Sequence, residues 1–221
     1  ANLNTVAGEI RAAGGEADTV VADISMPSRM RRAFARLKRS YGRLDLVFAN
    51  AGVNGLWAPL DQLSVEEWDK TVAINLRGTF LTCKHAVELM PKTGGSIVIT
   101  SSVNGTRMFS NTGASAYAAT KAAQVAFARM IALELAPRGI RVNCVCPGAI
   151  TSSIDDNTRR RDLARARYPV DFPEGKVPLT HGRPGRADDV ADLVAFLLSD
   201  RARHITGTEV FIDGAQSLLQ G

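Results

Sequence analysis

Cysteine and histidine are scarce in this sequence, and nowhere do they cluster as metal ligands do. Three cysteines and three histidines occur in 221 residues, and the histidines are scattered. A structural zinc site needs about four such ligands close together, so we expect no metal. Cys144 and Cys146 lie two residues apart in an apolar run, so on a strand both face the same side. We expect all three thiols to be reduced and partly buried.

Long apolar runs are also missing. Arg, Glu or Lys interrupts the longest apolar stretches, which fall short of the roughly 18 to 20 residues that a membrane-spanning helix needs. The first residues carry neither a basic start nor a hydrophobic segment. We therefore expect a cytoplasmic protein without a membrane partner. The composition, 45% hydrophobic and 22% charged with 19 glycines, predicts a single domain over residues 1–221.

The densest basic segment, residues 29–39, belongs to a chain with a net charge of +5. Its apolar members recur with helical spacing, at Met30, Ala33, Phe34 and Leu37. This spacing predicts an amphipathic helix with its arginines on the outer face. A basic surface alone is compatible with nucleic-acid binding, but no nucleic-acid-binding motif accompanies it. We expect a solvated helix face and no nucleic-acid partner.

Short β-branched runs alternate with helical patterns along the chain. The predicted strands cover residues 19–24, 44–49, 96–100, 141–146 and 209–212. The predicted helices cover residues 3–13, 27–41, 65–90, 114–136 and 187–198. The third helix begins at a capping box formed by Ser64 and Glu67. Strands connected through helices form a parallel sheet with helices on both faces, so the pattern predicts an α/β fold.

Glycine and polar residues stand at the carboxyl ends of four predicted strands. These endings are Asp23-Ile24, Asn50-Ala51-Gly52, Thr100-Ser101-Ser102 and Pro147-Gly148. In an open parallel sheet, ligands bind in the crevice outside these strand ends. Four endings of this kind predict a ligand-binding crevice.

Tyr117 and Lys121 lie four residues apart in the predicted helix 114–136, so their side chains share a face. A nearby cation favours phenolate and lowers the pKa of a tyrosine from its usual value of about 10. We therefore expect Tyr117 to exchange a proton near neutral pH. Ser102 ends the preceding strand, where its hydroxyl can hold a carbonyl or hydroxyl oxygen beside the tyrosine. The pattern indicates acid/base chemistry on such an oxygen.

Six motifs follow one another in order along the chain. They are the Asn-Ala-Gly turn at 49–52, the helix asparagine Asn75, the serine motif at 101–105, the Tyr117-Lys121 pair, the Pro-Gly turn at 147–150 and the closing strand at 205–214. Together they resemble the short-chain dehydrogenases/reductases over essentially all of the chain. The resemblance implies a three-layer α/β/α, Rossmann-type doubly wound parallel sheet. It also implies an NAD(P)-dependent oxidoreductase that interconverts a secondary alcohol and a ketone, assembled as a homotetramer or homodimer.

The resemblance implies a role for each catalytic position. Tyr117 would be the acid/base, and Lys121 would bind the nicotinamide ribose and lower the Tyr117 pKa. Ser102 would hold the substrate oxygen, and Asn75 would hold a water that links Lys121 to solvent. Asn104, Met108 and Phe109 are candidates for lining the substrate pocket, and loop packing is an equal alternative for all three.

The resemblance also implies cofactor contacts. Asp23 and Ile24 would lie at the adenine, and Asn50, Ala51 and Gly52 along the adenosine. The turn Pro147-Gly148 and the backbone near Ile150, with Ser152 or Thr151, would meet the carboxamide. Residues 153–186 would form a lid over the substrate, and their arginines are expected on a solvated face rather than at an acidic substrate.

The family's glycine-rich phosphate loop has no counterpart in the sequence, because no Gly-x-x-x-Gly-x-Gly follows a strand. We expect the working protein to be longer at its N-terminus by a strand, a helix and a strand, with neighbours for the strand at 19–24. An intact mass of about 23.7 kDa would contradict this expectation. The same segment would carry the residue that selects between NAD and NADP, and we lean to NAD.

Two other functions fit the sequence less well than an oxidoreductase does. A cofactor-binding regulator or scaffold of the same fold would need no proton donor, yet Ser102, Tyr117, Lys121 and Asn75 are all present. A serine hydrolase on an α/β sheet would need a Gly-x-Ser-x-Gly elbow, which the sequence does not contain. The sequence does not identify the substrate.

Overall fold

The computed structural model describes residues 3–166 and 177–219, and its central feature is a parallel sheet. The strands in chain order are β1 (Leu46–Ala49), β2 (Gly55–Trp57), β3 (Gly95–Thr100), β4 (Ile140–Pro147), β5 (Thr158–Arg160) and β6 (Glu209–Ile212). The main sheet has the order β1-β3-β4-β6, and β2 pairs with β5 in a small separate sheet. All of these pairings are parallel.

Helices cover both faces of the main sheet. They are α1 (Leu3–Ala12), α2 (Pro27–Tyr41), α3 (Val65–Val72), α4 (Gly78–Val87), α5 (Ser115–Leu135) and α6 (Ala187–Leu198). Buried residues of α4 and α5 pack with one face of the strands, and Val194 and Leu197 of α6 pack with Val98 and Val145 on the other face. The predicted three-layer α/β/α arrangement is therefore confirmed.

The strand register places three chain segments side by side at one edge. Ala49 pairs with Ile99, and Thr100 pairs with Val145. Because parallel strands end at the same edge, the residues that follow β1, β3 and β4 emerge together. The middle strands β3 and β4 are largely buried and mostly apolar, as the inner strands of parallel sheets usually are.

The predicted strand at 19–24 is wrong. This segment is neither helix nor strand in the structure, and Val21 is 86% exposed. Asp23 closes a local turn by accepting hydrogen bonds from the Ser25 backbone N–H (2.9 Å) and hydroxyl (2.7 Å). A strand forms only where a neighbour takes up its backbone hydrogen bonds, and no described residue does so here.

The predicted helix over 65–90 is interrupted. The Ser64–Glu67 capping box begins α3 as expected, but residues Ala73–Arg77 form a π-turn before α4. Within this turn the Gly78 N–H donates to the Ala73 carbonyl, five residues back. The extra residue widens the helix at Asn75, and π-turns of this kind are frequent at functional sites.

The helix α2 and the three cysteines contribute buried side chains to the core. Met30 is buried on the inner face of α2. The three cysteines are free and buried, and Cys144 and Cys146 belong to the same core cluster. Within residues 3–166 and 177–219, no helix is long and apolar enough to cross a membrane, and no group of three or more His, Cys, Asp or Glu is placed to hold a metal ion.

Candidate active site

A cavity of about 660 Å³ lies at the carboxyl ends of β1, β3 and β4. Most of the predicted site residues line it, namely Asn50, Ala51, Gly52, Ser102, Asn104, Tyr117, Lys121, Pro147, Gly148, Ile150 and Ser152. They come from four separate stretches of the chain, which the strand register brings together. The structure therefore has the crevice that the strand endings predict.

Tyr117 and Ser102 form the centre of this cavity. Tyr117 lies in the first turn of α5, Ser102 follows β3, and both are buried. The Asn104 backbone N–H donates to Ser102 Oγ (3.1 Å), which fixes the serine at the start of its loop. Burial raises the pKa of Tyr117, and hydrogen bonding with the Ser102 hydroxyl partly offsets this rise.

Lys121 is buried one turn along α5, with 3% of its surface exposed. Its Nζ donates to the Thr100 carbonyl oxygen (2.8 Å) and lies 5.5 Å from the centre of the Tyr117 ring. Burial lowers the pKa of Lys121 to about 8. The ammonium group is thus held at the edge of β3, beside the cavity.

The prediction that Lys121 holds the pKa of Tyr117 below its usual value is wrong for this structure, because the pKa of Tyr117 is raised. Two physical reasons account for the difference. Burial removes water from the phenolate, which disfavours the charged form. The Lys121 ammonium group donates to the Thr100 carbonyl rather than to the phenol.

Asn75 lies behind the cavity wall rather than in the lining, at the centre of the π-turn and with no exposed surface. Its Oδ1 accepts from the Val53 N–H and its Nδ2 donates to the Val53 carbonyl, both at 2.9 Å. Nδ2 also donates to Thr120 Oγ1 (3.1 Å). Both amide hydrogens are therefore used, while Oδ1 keeps one lone pair for a further donor.

Gly52 separates the cavity from Asn75. A Cβ added at Gly52 would lie 3.2 Å from Asn75 Oδ1 and 3.7 Å from Lys121 Nζ. The glycine thus allows the chain to pass close to both groups, and an alanine there would be crowded. Gly52, in the loop after β1, is therefore close to two side chains from different helical segments, Asn75 and Lys121.

Gly148 has a similar role after β4. A Cβ at Gly148 would lie 2.6 Å from both Asp213 Cβ and Gln216 Oε1. Gln216 Oε1 also accepts from the Ala149 N–H (2.7 Å), which holds the turn after β4 against the segment after β6. Ile150 then pairs with Gly185 in an isolated bridge, so the cavity wall continues from Pro147 to Ser152.

Asp23 and Ile24 are not among the residues that line the cavity. Asp23 is exposed, and the Ser25 hydrogen bonds lower the pKa of its carboxyl. Ile24 packs against α4, where a Cβ on Gly78 would come within 2.6 Å of Ile24 Cδ1. The predicted adenine contacts of these two residues stay a prediction.

The comparisons with known proteins agree with this geometry. The family model described as Enoyl-(Acyl carrier protein) reductase matches residues 2–215. The chain belongs to the short-chain dehydrogenase/reductase family. It is 37% identical to levodione reductase of Leifsonia aquatica over 201 residues, 90% of this chain and 74% of that protein. It is 36% identical to 3beta-hydroxysteroid dehydrogenase 1 of Eggerthella lenta over 214 residues, 96% of this chain and 78% of that protein.

Solved structures of this family confirm the Rossmann-type fold. A crystal structure described as a 3-ketoacyl-ACP reductase from Sinorhizobium meliloti 1021 superimposes with a TM-score of 0.94 at 54% sequence identity, covering 98% of this chain and 86% of that chain. This short-chain dehydrogenase/reductase is an NAD(P)-dependent oxidoreductase that acts on CH–OH groups.

The cavity fits the nicotinamide end of such a cofactor. Among the residues that the structure describes, Thr100 supplies the one acceptor for Lys121 Nζ, so two N–H donors are left for ribose hydroxyl groups. Because Gly52 has no side chain, there is room for a ligand beside the Lys121 ammonium group. No pyrophosphate-binding glycine loop is found in residues 3–166 or 177–219.

Several lining residues of this family member were not predicted from the sequence. Asn54, Trp57, Asn111, Asn157 and Gln216 all line the cavity. Asn111 contacts a predicted residue, because its Nδ2 donates to Asn104 Oδ1 (2.9 Å). A useful signal would have been the asparagines that recur in the loops after β1 and β3. Of the two further candidates, Met108 lines the cavity, whereas Phe109 is exposed and does not.

Part of the predicted lid closes one side of the cavity. Ser153, Ile154, Asp155 and Asn157 line it from a short 3₁₀ helix, and β5 then pairs with β2. Arg161 connects this segment to the start of α3. Its guanidinium forms an ion pair with Glu67 (2.6 Å) and donates to the Gln62 carbonyl (2.9 Å). Of the predicted lid 153–186, residues 167–176 lie outside the described part of the chain.

Substitution Arg161→Gln should loosen this lid. We expect the KM for the ketone substrate to rise about threefold with little change in kcat, because a solvent-exposed ion pair contributes only a small amount to the order of the segment it holds. Amide exchange at residues 158–160 should increase in parallel. Steady-state kinetics at low and high salt would measure the effect, which screening should diminish. The matched control is Arg165→Gln, whose more exposed pair with Asp61 spans 3.3 Å; an equal effect there would contradict the prediction.

Proposed function

We propose that this enzyme interconverts a secondary alcohol and a ketone with NAD or NADP, with Tyr117 as the group that exchanges the proton. One observation supports this most directly: Tyr117, Ser102 and Lys121 line a single cavity at the carboxyl edge of the sheet. Asn75 lies immediately behind, across Gly52. A protein that only bound the cofactor would not need a buried phenol beside a serine hydroxyl.

The chemistry divides between cofactor and protein. When bound, the nicotinamide supplies the hydride in reduction and takes it up in oxidation. In reduction Tyr117 donates its O–H proton to the carbonyl oxygen, which becomes the alcohol oxygen. In oxidation the phenolate takes that proton back. Ser102 donates a hydrogen bond to the same oxygen and sets its position against the phenol.

Lys121 and Asn75 support the proton transfer from behind. Two N–H groups of Lys121 would hold the ribose hydroxyls and orient the nicotinamide toward Tyr117. The free lone pair of Asn75 Oδ1 would hold a water between Lys121 and solvent, through which Tyr117 regains its proton.

The remaining contacts follow the cavity wall. Asn50, Ala51 and Gly52 would run along the adenosine side, with Asn50 held by the Thr100 hydroxyl (2.8 Å). The turn Pro147-Gly148 with Ile150 and Ser152 would meet the carboxamide, and Asn104 the substrate. Asp23 and Ile24 would reach the adenine. We favour NAD over NADP.

We further propose a cytoplasmic homotetramer or homodimer built on the outer faces of α4 and α5. Phe80, Met130 and Leu133 are exposed there, with Leu133 at 77%, and apolar side chains on an outer helix face are typical of subunit contacts. Sedimentation velocity at micromolar concentration would test this, and a monomer would contradict it.

A substrate screen tests the proposed function. Ketones and secondary alcohols of several classes, including sugars, polyols, steroids and acyl thioesters, would be mixed with the purified protein and each cofactor. Turnover is measured by the absorbance of the reduced nicotinamide. We expect reversible, cofactor-dependent conversion of at least one class. Cofactor binding without conversion of any of them would favour a regulator or scaffold instead.

A further inference from the structure

Gln124 is a buried amide on the same face of α5 as the catalytic pair. Tyr117, Lys121 and Gln124 follow each other at intervals of four and three residues, which places them in one row along the helix. Only 1% of Gln124 is exposed. Further along this face the buried residues are Ala128, Ala132 and Leu135, so the row turns apolar directly after Gln124.

The Gln124 amide joins α5 to the π-turn. Its Nε2 donates to the Asn75 carbonyl oxygen (2.9 Å) and to Thr79 Oγ1 (2.7 Å). Thr79 Oγ1 in turn donates to the same Asn75 carbonyl (2.7 Å). The Asn75 carbonyl oxygen thus accepts from one side chain of α4 and one of α5. The backbone of Asn75 is therefore fixed from two sides.

The other end of the Gln124 amide has no such support. Gln124 Oε1 is buried and finds no hydrogen-bond donor among the described residues. A buried polar atom without a partner destabilises the folded state. An apolar residue of similar length would avoid this cost, so what the glutamine adds at this position is the pair of hydrogen bonds from its Nε2 to the π-turn and to Thr79.

The position of Asn75 governs the wall beside Lys121. The Asn75 amide holds the backbone of Val53 at both its N–H and its carbonyl, directly after Gly52. Gly52 lies between Asn75 Oδ1 and Lys121 Nζ. A shift of the π-turn relative to α5 would thus change the spacing between the asparagine and the lysine.

We propose that Gln124 is a positioning residue, which fixes the π-turn to α5 and so sets Asn75 and the Gly52–Val53 wall against Lys121. The inference rests on the proposed function for its kinetic consequences. Its structural consequence, the protection of the Val53 amide by Asn75, is independent of turnover.

Gln124→Leu tests this role. We expect kcat to fall about tenfold with the KM for cofactor nearly unchanged, since small misplacements of catalytic groups reduce rates strongly. Hydrogen exchange of the Val53 amide should accelerate about tenfold, because its acceptor Asn75 is no longer held. The melting temperature should change by only a few degrees. Gln124→Met keeps the length of the side chain and should have the same effects, which would exclude a packing defect as their cause. Thr79→Val removes the second donor to the Asn75 carbonyl and should also lower kcat and accelerate Val53 exchange.

The control is Ser96→Ala, which also removes a buried hydrogen bond, from Ser96 Oγ to the Leu197 carbonyl (3.1 Å), but outside the cavity lining. It should leave kcat and Val53 exchange unchanged. The inference about Gln124 would be overturned if both Gln124 variants kept the kcat and the Val53 exchange rate of the wild type. If Tyr117→Phe were inactive in the same experiments, the proposed function would still stand. If the wild-type protein turns over no substrate, the proposed function fails, and Val53 exchange decides about Gln124.

Discussion

Substitution Tyr117→Phe should reduce kcat about 10³-fold in both directions, within the range that a positioned acid/base contributes. The Tyr117 phenol lies beside Ser102 in the cavity, where it can give a proton to a substrate oxygen that the serine holds. Phenylalanine keeps the ring in its buried site and removes only the hydroxyl. Cofactor affinity should therefore stay within about threefold of wild type, because ring packing and the Lys121 contacts persist.

Single-turnover kinetics and a cofactor titration by fluorescence would measure these two quantities. The matched control is Tyr41→Phe, because Tyr41 lies on α2 and its hydroxyl donates to Asp18 (2.9 Å), outside the cavity lining. This control should keep full activity. Unchanged turnover in Tyr117→Phe would remove the phenol from the mechanism, whereas loss of cofactor binding would assign it a structural role.

Activity of the wild-type enzyme should also respond to the raised pKa of Tyr117. Since burial raises the pKa, the phenol stays protonated at neutral pH and the free protein is prepared to donate a proton. Oxidation needs the phenolate and is expected to gain from alkaline conditions. The predicted lowering of this pKa was drawn from the spacing of Tyr117 and Lys121 alone. Spacing reports which face two side chains share, but not how much water surrounds them.

Local patterns predicted the elements that form the site. The glycine and polar endings after β1, β3 and β4 depend on short stretches of sequence, and the parallel sheet then brings them together. The strand expected at 19–24 depends on a neighbouring strand, which β-branched residues cannot specify by themselves. Its failure shows that strand propensity and strand pairing are separate conditions.

The π-turn and Gln124 required knowledge of two helices at once. The sequence pattern of residues 65–90 is that of one helix, and the widening at Asn75 is stabilised by Thr120 and Gln124 from α5. These residues lie more than 40 positions away in the chain. A glutamine three residues after Lys121 could have been noticed as a polar residue on a buried face. Its partner could not have been named without the fold.

Substitution Lys121→Met should separate activity from stability. We expect kcat/KM to fall by on the order of 10² to 10³, because cofactor orientation and the charge behind the phenol are both lost. Stability should not fall in proportion. The buried ammonium has a single described acceptor, Thr100, and its pKa is lowered to about 8, so burial disfavours its charged form. A methionine of similar length fills the same space without that cost, and a gain in the free energy of unfolding of on the order of 1 kcal/mol is expected near pH 7.

The pH dependence of this gain has a definite sign. Between about pH 8 and the usual lysine value of 10.5, the unfolded chain binds the Lys121 proton and the folded protein does not. Wild-type stability from this group therefore rises with pH through that window, and the advantage of Lys121→Met should be largest below about pH 8 and shrink toward pH 10.5. Urea unfolding of both proteins at neutral and alkaline pH would measure it, with the exposed Lys70→Met as control. A Lys121→Met variant that loses stability at neutral pH would show that the ammonium group supports the fold, and its effect on turnover could then no longer be read as catalytic.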